Sequence, residues 1–198
     1  MANRYVGKLA TDVYGTNADE AKTAHVTYSA TEAVVADTDG VHLAHTDDGS
    51  EEVLTADITN PPCARNITAT AGGTAGDIKA IQVIVVGTNL NDQAITETLP
   101  VFTENTAGTV QGNLAFKTVT QITIPAHDGT GATTAIGFGD KLGLPFMLDK
   151  NYVDKAIFNG VKETTAPTVV VDADEIEKNT IDLNSALDGS VVDVYLTL

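Results

Sequence analysis

Lys79-Ala-Ile-Gln-Val-Ile-Val-Val-Gly-Thr88, then Asn89-Leu-Asn-Asp92, then Gln93-Ala-Ile-Thr-Glu-Thr-Leu-Pro-Val-Phe102 is the stretch that decides the fold class. Its first ten residues are rich in Val and Ile, whose β-branched side chains suit a pleated surface, and they read as the most hydrophobic strand of the chain. Asn89–Asp92 reads as a hairpin loop, and 93–102 returns with period two. Ile95, Glu97 and Leu99 then share one face, and Thr96 and Thr98 the other. Glu97 sits on the apolar face, which predicts that this strand lies at a sheet edge or beside a loop.

The same grammar extends outward. Residues 65–70 predict a strand after a Pro61-Pro62 corner, and 114–124 another, ending at Pro125. A Gly/Thr-rich loop is expected over 127–134 and a short strand over 135–139. Residues 24–29, 152–158 and 168–172 read as further strands, and 31–36 suit either a strand or a short helix. Asp39-Gly40 and Asp47-Asp48-Gly49 are turn signals, and 46–52 reads as solvated loop. Residues 173–187 have weak helical character at best. In 191–198, Val192, Val194, Leu196 and Leu198 alternate with Val191, Asp193, Tyr195 and Thr197, as in a closing strand tied into a sheet. The fold class expected is all-β, a β-sandwich or jelly-roll-like domain of roughly eight to ten strands. Residues 1–22 form an irregular N-terminal arm and 23–198 a single β-rich domain.

Composition narrows the function. The chain has 198 residues, 29 of them threonine, and no tryptophan. Acids outnumber bases 27 to 11, for a formal net charge of −16 and a pI of ≈ 4.3. Proteins grip phosphate backbones by neutralising them with Lys and Arg, so this charge argues against nucleic acid and against anionic membranes as partners. No apolar run reaches the roughly 18–20 residues that cross a bilayer, and Met1–Val6 lacks the apolar core of a signal peptide. Cys63 has no second cysteine to bond, which fits synthesis in a cytosol.

The order Asn60-Pro61-Pro62-Cys63-Ala64-Arg65-Asn66-Ile67-Thr68, Val83 to Val86 with Gly87-Thr88-Asn89, Ile95-Thr96-Glu97-Thr98, Phe116-Lys117-Thr118-Val119 and Gly137-Phe138-Gly139-Asp140-Lys141-Leu142-Gly143-Leu144-Pro145 resembles tailed-bacteriophage virion structural proteins. The resemblance covers roughly residues 55–150. Each motif is ordinary strand and turn chemistry, and their order and spacing carry the likeness. The chain departs from the pattern at Ala64, where Pro is usual before Arg, and at Asn89-Leu90-Asn91, where Asp-Gly turns are common. The resemblance implies a non-enzymatic capsid decoration (cement) protein on the outer head surface, made in the bacterial host cytoplasm. Its partner would be the major capsid protein, and a homo-oligomer, plausibly a trimer, would match the local three-fold positions of a capsid. The arm and the edge strands are candidate attachment elements. A tail, baseplate or head-fibre component is the alternative. A carbohydrate-binding β-sandwich or a hydrolase is disfavoured, because sugar sites normally use aromatic platforms and only five Tyr and five Phe are present.

The side chains with chemistry assign no catalytic, cofactor-binding or metal-ligating residue. His42-x-x-His45, followed by Asp47 and Asp48, is the most metal-like cluster among His25, His42, His45 and His127. In a strand, however, an offset of three sends the two imidazoles to opposite faces, leaving a solvated loop. Asp37-Thr38-Asp39-Gly40 opens like a calcium loop, but His42 stands where Gly is needed and Asp48 where Glu is usual. Asp47 to Glu52 and Asp172 to Glu175 read likewise as polar turns. Chance carboxylate pairs are expected among so many acids. None of Ser29, Ser50, Ser185 and Ser190 lies in Gly-x-Ser-x-Gly. Cys63 reads as a buried small hydrophobe, and Gly72–Asp77 as a hairpin loop. Gly137, Gly139 and Gly143 mark a bulge or a close backbone approach. Leu144-Pro145-Phe146-Met147-Leu148 either caps the core, the favoured reading, or meets a partner subunit.

Overall fold

The computed structural model describes residues 22–198. In chain order the strands are β1 (Thr23–Tyr28), β2 (Asp37–Thr46), β3 (Glu52–Leu54), β4 (Arg65–Gly73), β5 (Ile84–Thr88), β6 (Ala94–Thr98), β7 (Gly108–Phe116), β8 (Thr118–Ile124), β9 (Ala132–Gly143), β10 (Val153–Phe158), β11 (Val161–Lys162), β12 (Thr168–Val170), β13 (Thr180–Asp182) and β14 (Val192–Thr197). Two single-turn 3-10 segments, Ala75–Asp77 and Ile176–Lys178, are the only helical elements among the described residues. There are more strands than the turn signals suggested, because β3, β11, β12 and β13 are only two or three residues long.

All pairings are antiparallel. One sheet runs β1-β14-β10-β11, a central sheet runs β12-β13-β9-β4-β7 with β2 also on β9, and a third runs β3-β8-β5-β6. The fold is therefore all-β and sandwich-like. The expected hairpin is β5–β6, in register from Ile84↔Thr98 to Thr88↔Ala94. Asn89 closes it by accepting the N–H groups of Asn91 and Gln93 at 2.9 and 3.0 Å. β6 is the outer strand of its sheet, as Glu97 predicted. Instead of facing water, Glu97 accepts the backbone N–H of Asn113 at 2.6 Å and of Leu114 at 3.3 Å, tying this edge to β7. Gly112 permits the approach, since a Cβ there would lie 2.5 Å from the carboxylate. The closing strand β14 lies between β1 and β10 and buries Val192, Val194 and Leu196 on one face. Lys22, the one residue of the expected arm that is described, continues this ladder, exchanging backbone hydrogen bonds with Leu198 at 2.8 and 2.7 Å. The rest of the arm lies outside the described residues.

Two hydrophobic clusters fill the span 23–198. The first joins the central and third sheets through Ile67, Val85, Leu99, Phe116, Ile122 and Ile136. The second joins the first sheet to the other end of the central one through Tyr28, Leu142, Leu144, Ile181, Val194 and Leu196. β9 belongs to both. One of its edges pairs with β4, and the other is shared by β2, opposite Thr133–Phe138, and β13, opposite Leu142–Gly143. The Tyr28 hydroxyl donates to Gly143 O at 2.8 Å, pinning β1 to the end of β9.

The junction of the clusters is a bulge in β9. Arg65 pairs with Leu142 and Ile67 with Phe138, so β9 spends four steps where β4 spends two. Arg65 and Asn66 fill the discontinuity. The Arg65 side chain is fully buried; Nε donates to Gly139 O and Nη1 to Val34 O, both at 2.7 Å, and Nη2 lies 3.4 Å from Asp140 Oδ1. Its guanidinium lies over the Phe138 ring, 4.7 Å from the centroid. Asn66 accepts the Lys141 N–H at 3.0 Å and donates to Gly112 O at 3.2 Å. A buried cation survives only when its donors are satisfied in this way.

Four local expectations need correction. Asp39-Gly40 is not a turn; it lies within β2, where the register slips between Asp37↔Phe138 and His42↔Ile136. A Cβ at Gly137 would lie 1.8 Å from Asp37 O, so this glycine admits the irregular strand. Residues 31–36 form a turn followed by irregular chain, neither strand nor helix. β9 begins at Ala132, inside the expected loop, and runs past Gly139 to Gly143, because its glycines are close-approach positions rather than stops. Within 173–187, the 3-10 turn and β13 replace any helix.

Two outcomes follow. Arg65→Ala leaves the Gly139 and Val34 carbonyls without their donors and should cost about 2–6 kcal/mol, from about 1–3 for each unmet buried acceptor, read as a lower urea midpoint. Thr68 Oγ1 is buried without a hydrogen-bond partner. Thr68→Val should therefore raise stability by about 1 kcal/mol in the same assay, because it removes an unmet polar group at constant shape.

Candidate interaction surface

The metal-like cluster sits on an irregular strand. His42 pairs with Ile136 and His45 with Thr134, so β2 spends three steps where β9 spends two. This bulge defeats the opposite-face argument and leaves the imidazole centroids 6.5 Å apart. His42 Nδ1 donates to Leu43 O at 2.7 Å. Asp47 corrects the solvated-loop expectation for 46–52: it is buried and accepts the N–H of Gly49 and of His127, both at 2.9 Å. Asp48 stays outside, where hydrogen bonds from Ser50 hold its carboxyl below the usual range.

Acids of the other clusters bond the backbone near them, Asp37 within the irregular β2 and Asp172 in a turn. Asp37 accepts the Asp39 N–H at 3.2 Å, and Asp172 Oδ1 accepts those of Asp174 and Glu175, both at 2.9 Å. Among the described residues, no group of three or more His, Cys, Asp or Glu converges to hold a metal ion.

His127 is buried. Its Nδ1 accepts the Lys79 N–H at 3.1 Å, which assigns the ring proton to Nε2, 2.9 Å from Thr134 Oγ1. The ring stacks near Phe102, with centroids 6.1 Å apart. Cys63 is half-buried against the second cluster, and burial pushes its thiol up to about 12, so it is neutral. Gly72–Asp77 is not a hairpin loop. It carries the end of β4 into the first 3-10 turn, where Asp77 accepts the Gly131 N–H at 3.1 Å.

Two accessible surfaces combine apolar or aromatic side chains with open space or charge. Leu144–Leu148 divides: Leu144 and Leu148 are core, Phe146 is half-buried, and Pro145 and Met147 are exposed. Leu148 is drawn inward by its N–H bonds to Asp172 O at 3.1 Å and Asn179 Oδ1 at 3.2 Å. Met147, 55% exposed, is left over an open groove of ≈ 470 Å³ walled by Pro145, Phe146, Tyr152, Ile176 and Leu198. The second surface is the outer face of the first sheet. There Tyr195 stands in register between His25 of β1 and Lys155 of β10. The His25 ring stacks on Tyr195 with centroids 4.4 Å apart, and Lys155 Nζ lies 4.5 Å from the Tyr195 centroid. Asp193 accepts from Thr27 Oγ1 and His25 Nε2, both at 2.8 Å.

Sequence reading missed Asn179, which is fully buried. Its amide accepts the Asp172 and Leu148 N–H groups and donates to Asp172 O and Glu175 O, shaping the groove wall at Ile176. It lies inside the 173–187 stretch, whose weak helical character gave no signal for it.

Comparison with protein-family models, with curated proteins and with solved structures found no match.

Burial lowers the His127 pKa below the ordinary histidine value, with Asp47 and Asp128 opposing the shift and Lys79 adding to it. The unfolded chain therefore binds the proton first as pH falls. His127 should contribute full stability above about pH 6.5 and lose it progressively below. Thermal melts between pH 7 and 5 should show that His127→Gln flattens this slope.

Proposed function

We propose that the chain is a non-enzymatic virion structural protein of a tailed bacteriophage, and more narrowly a capsid decoration protein bound to the outer head surface. One observation carries the reading: the motifs behind the resemblance are contact partners. Arg65-Asn66 fills the bulge formed by Gly139-Asp140-Lys141. Gly87-Thr88 meets Phe116-Lys117-Thr118: the Lys117 N–H bonds Thr88 O at 2.8 Å, the Thr88 and Thr118 hydroxyls lie 2.7 Å apart, and a Cβ at Gly87 would meet Thr118 O. Glu97 of Thr-Glu-Thr accepts the Asn113 N–H in the middle of β7. Such reciprocal contacts give a physical reason for the order and spacing of the motifs.

The net charge of −16 supports an exterior position, because packaged DNA repels an acidic chain. The partner in this reading is the major capsid protein, and a homo-oligomer, plausibly a trimer, would match the three-fold positions of the lattice. A cement protein works by linkage. It buries roughly 1,200–2,000 Å² across subunit boundaries, as specific interfaces do, and shell opening must then also break those contacts.

Mixing the purified protein with undecorated heads of the encoding phage should give co-sedimentation and a higher disruption temperature. Binding to tails and not to heads would transfer the protein to the tail. On intact particles, antibodies should label it and protease should cut it; protection equal to that of internal proteins would overturn the exterior position.

A further inference from the structure

The first sheet ends on β1, and among the described residues no strand pairs with its outer edge. Lys22 and Leu198 exchange both backbone hydrogen bonds. Bonding alternates along an antiparallel ladder, so Ala24, Val26 and Tyr28 also bond β14, while the N–H and C=O groups of Thr23, His25 and Thr27 point away from it. Such an edge templates pairing with another chain unless proline, a bulge, charge or a covering segment blunts it. β1 has no proline and no acid, and its register with β14 is unbroken from Thr23↔Thr197 to Tyr28↔Val192. The other outer strands are poorer templates. β3, β11 and β12 are two or three residues long, β2 is bulged, and Glu97 ties β6 to β7.

We infer that β1 pairs with β1 of a second copy of this chain, antiparallel about a two-fold axis at His25, so that two four-stranded sheets become one continuous sheet.

Three features favour a second copy as the partner. The first is register. With His25 opposite His25, Thr23 of each copy stands opposite Thr27 of the other, so the same three residues supply every donor and acceptor across the axis. Side chains keep their faces: Thr23, His25 and Thr27 meet on the outer face, and Ala24 and Val26 on the inner one, against the second cluster. The second is charge complementarity. Lys22 precedes the strand, is exposed, and makes no ion pair among the described residues. Glu32 follows its far end, where Oε2 accepts from Ser29 N and Ser29 Oγ at 2.8 and 2.7 Å. Two-fold pairing brings the start of each strand to the end of the other, so Lys22 of one copy approaches Glu32 of the other at both ends. The third is the charge of the whole. Copies that each carry −16 repel over most approaches. Lys22–Tyr28 contains no acid, and the neighbouring Asp193 is already held by His25 and Thr27. The inference does not rest on the capsid reading. A two-fold dimer differs in mass from a three-fold oligomer, and a monomer can still decorate heads.

Sedimentation equilibrium of the full chain should give twice the chain mass of 20.6 kDa. His25→Pro removes an N–H that lies outside the β14 ladder, and proline is tolerated where a strand's N–H faces outward at an edge. It should yield a monomer with an unchanged far-UV spectrum. Lys22→Glu should raise the dimer dissociation constant about tenfold or more, because it sets like charges together at both ends, and adding Glu32→Lys should restore it. The charge swap decides independently of whether the proline variant folds. Four results would overturn the inference: a monomer, a trimer, a dimer indifferent to His25→Pro, or a loss in Lys22→Glu that Glu32→Lys leaves unrestored.

Discussion

The structure depends on one buried cation seated in a strand bulge. Arg65 has no exposed surface, yet its donors reach Gly139 O, Val34 O and Asp140. Burying a guanidinium costs several kcal/mol unless its hydrogen bonds are met. The bulge meets them by turning a β9 carbonyl out of the ladder. Asn66 satisfies the neighbouring Lys141 N–H. The discontinuity in β9 and the Arg65-Asn66 pair therefore require each other.

That junction lets one long strand serve two cores. On one side of the bulge, β9 gives Ile136 and Phe138 to the first cluster; on the other, it gives Leu142 to the second. β2 and β13 divide its outer edge at the same place. The glycines of β9 follow from this crowding. A side chain at Gly137 would strike the β2 backbone, one at Gly139 the Asn66 amide, and one at Gly143 the Ala115 methyl. Gly137 and Gly139 serve as approach points inside the strand, in line with the bulge or close backbone approach that the sequence reading assigned them.

The surface follows a related logic. Several acids named as candidate ligands are committed to nearby backbone N–H groups, as Asp48 and Asp172 illustrate. Asp47 is drawn inside, where it caps the His127 N–H. The accessible surface includes an apolar recess at Met147 and a polar, aromatic sheet face around Tyr195.

By itself the sequence determined whatever depends on neighbours in the chain. The all-β class, the β5–β6 hairpin, the buried face of β14 and the edge position of Glu97 follow from period-two alternation, because side-chain direction in a strand is a local property. Tertiary structure alone decided what depends on distant partners. The His42–His45 bulge, the inward turn of Asp47, the burial of Arg65 and the division of Leu144–Leu148 into core and groove belong to this class. Each is set by a contact from another element: β9 for the histidines, His127 for Asp47, Gly139 and Val34 for Arg65, and Asn179 for Leu148. No local pattern encodes such a partner. The cost of an unmet buried polar group appears only once the chain has folded back on itself.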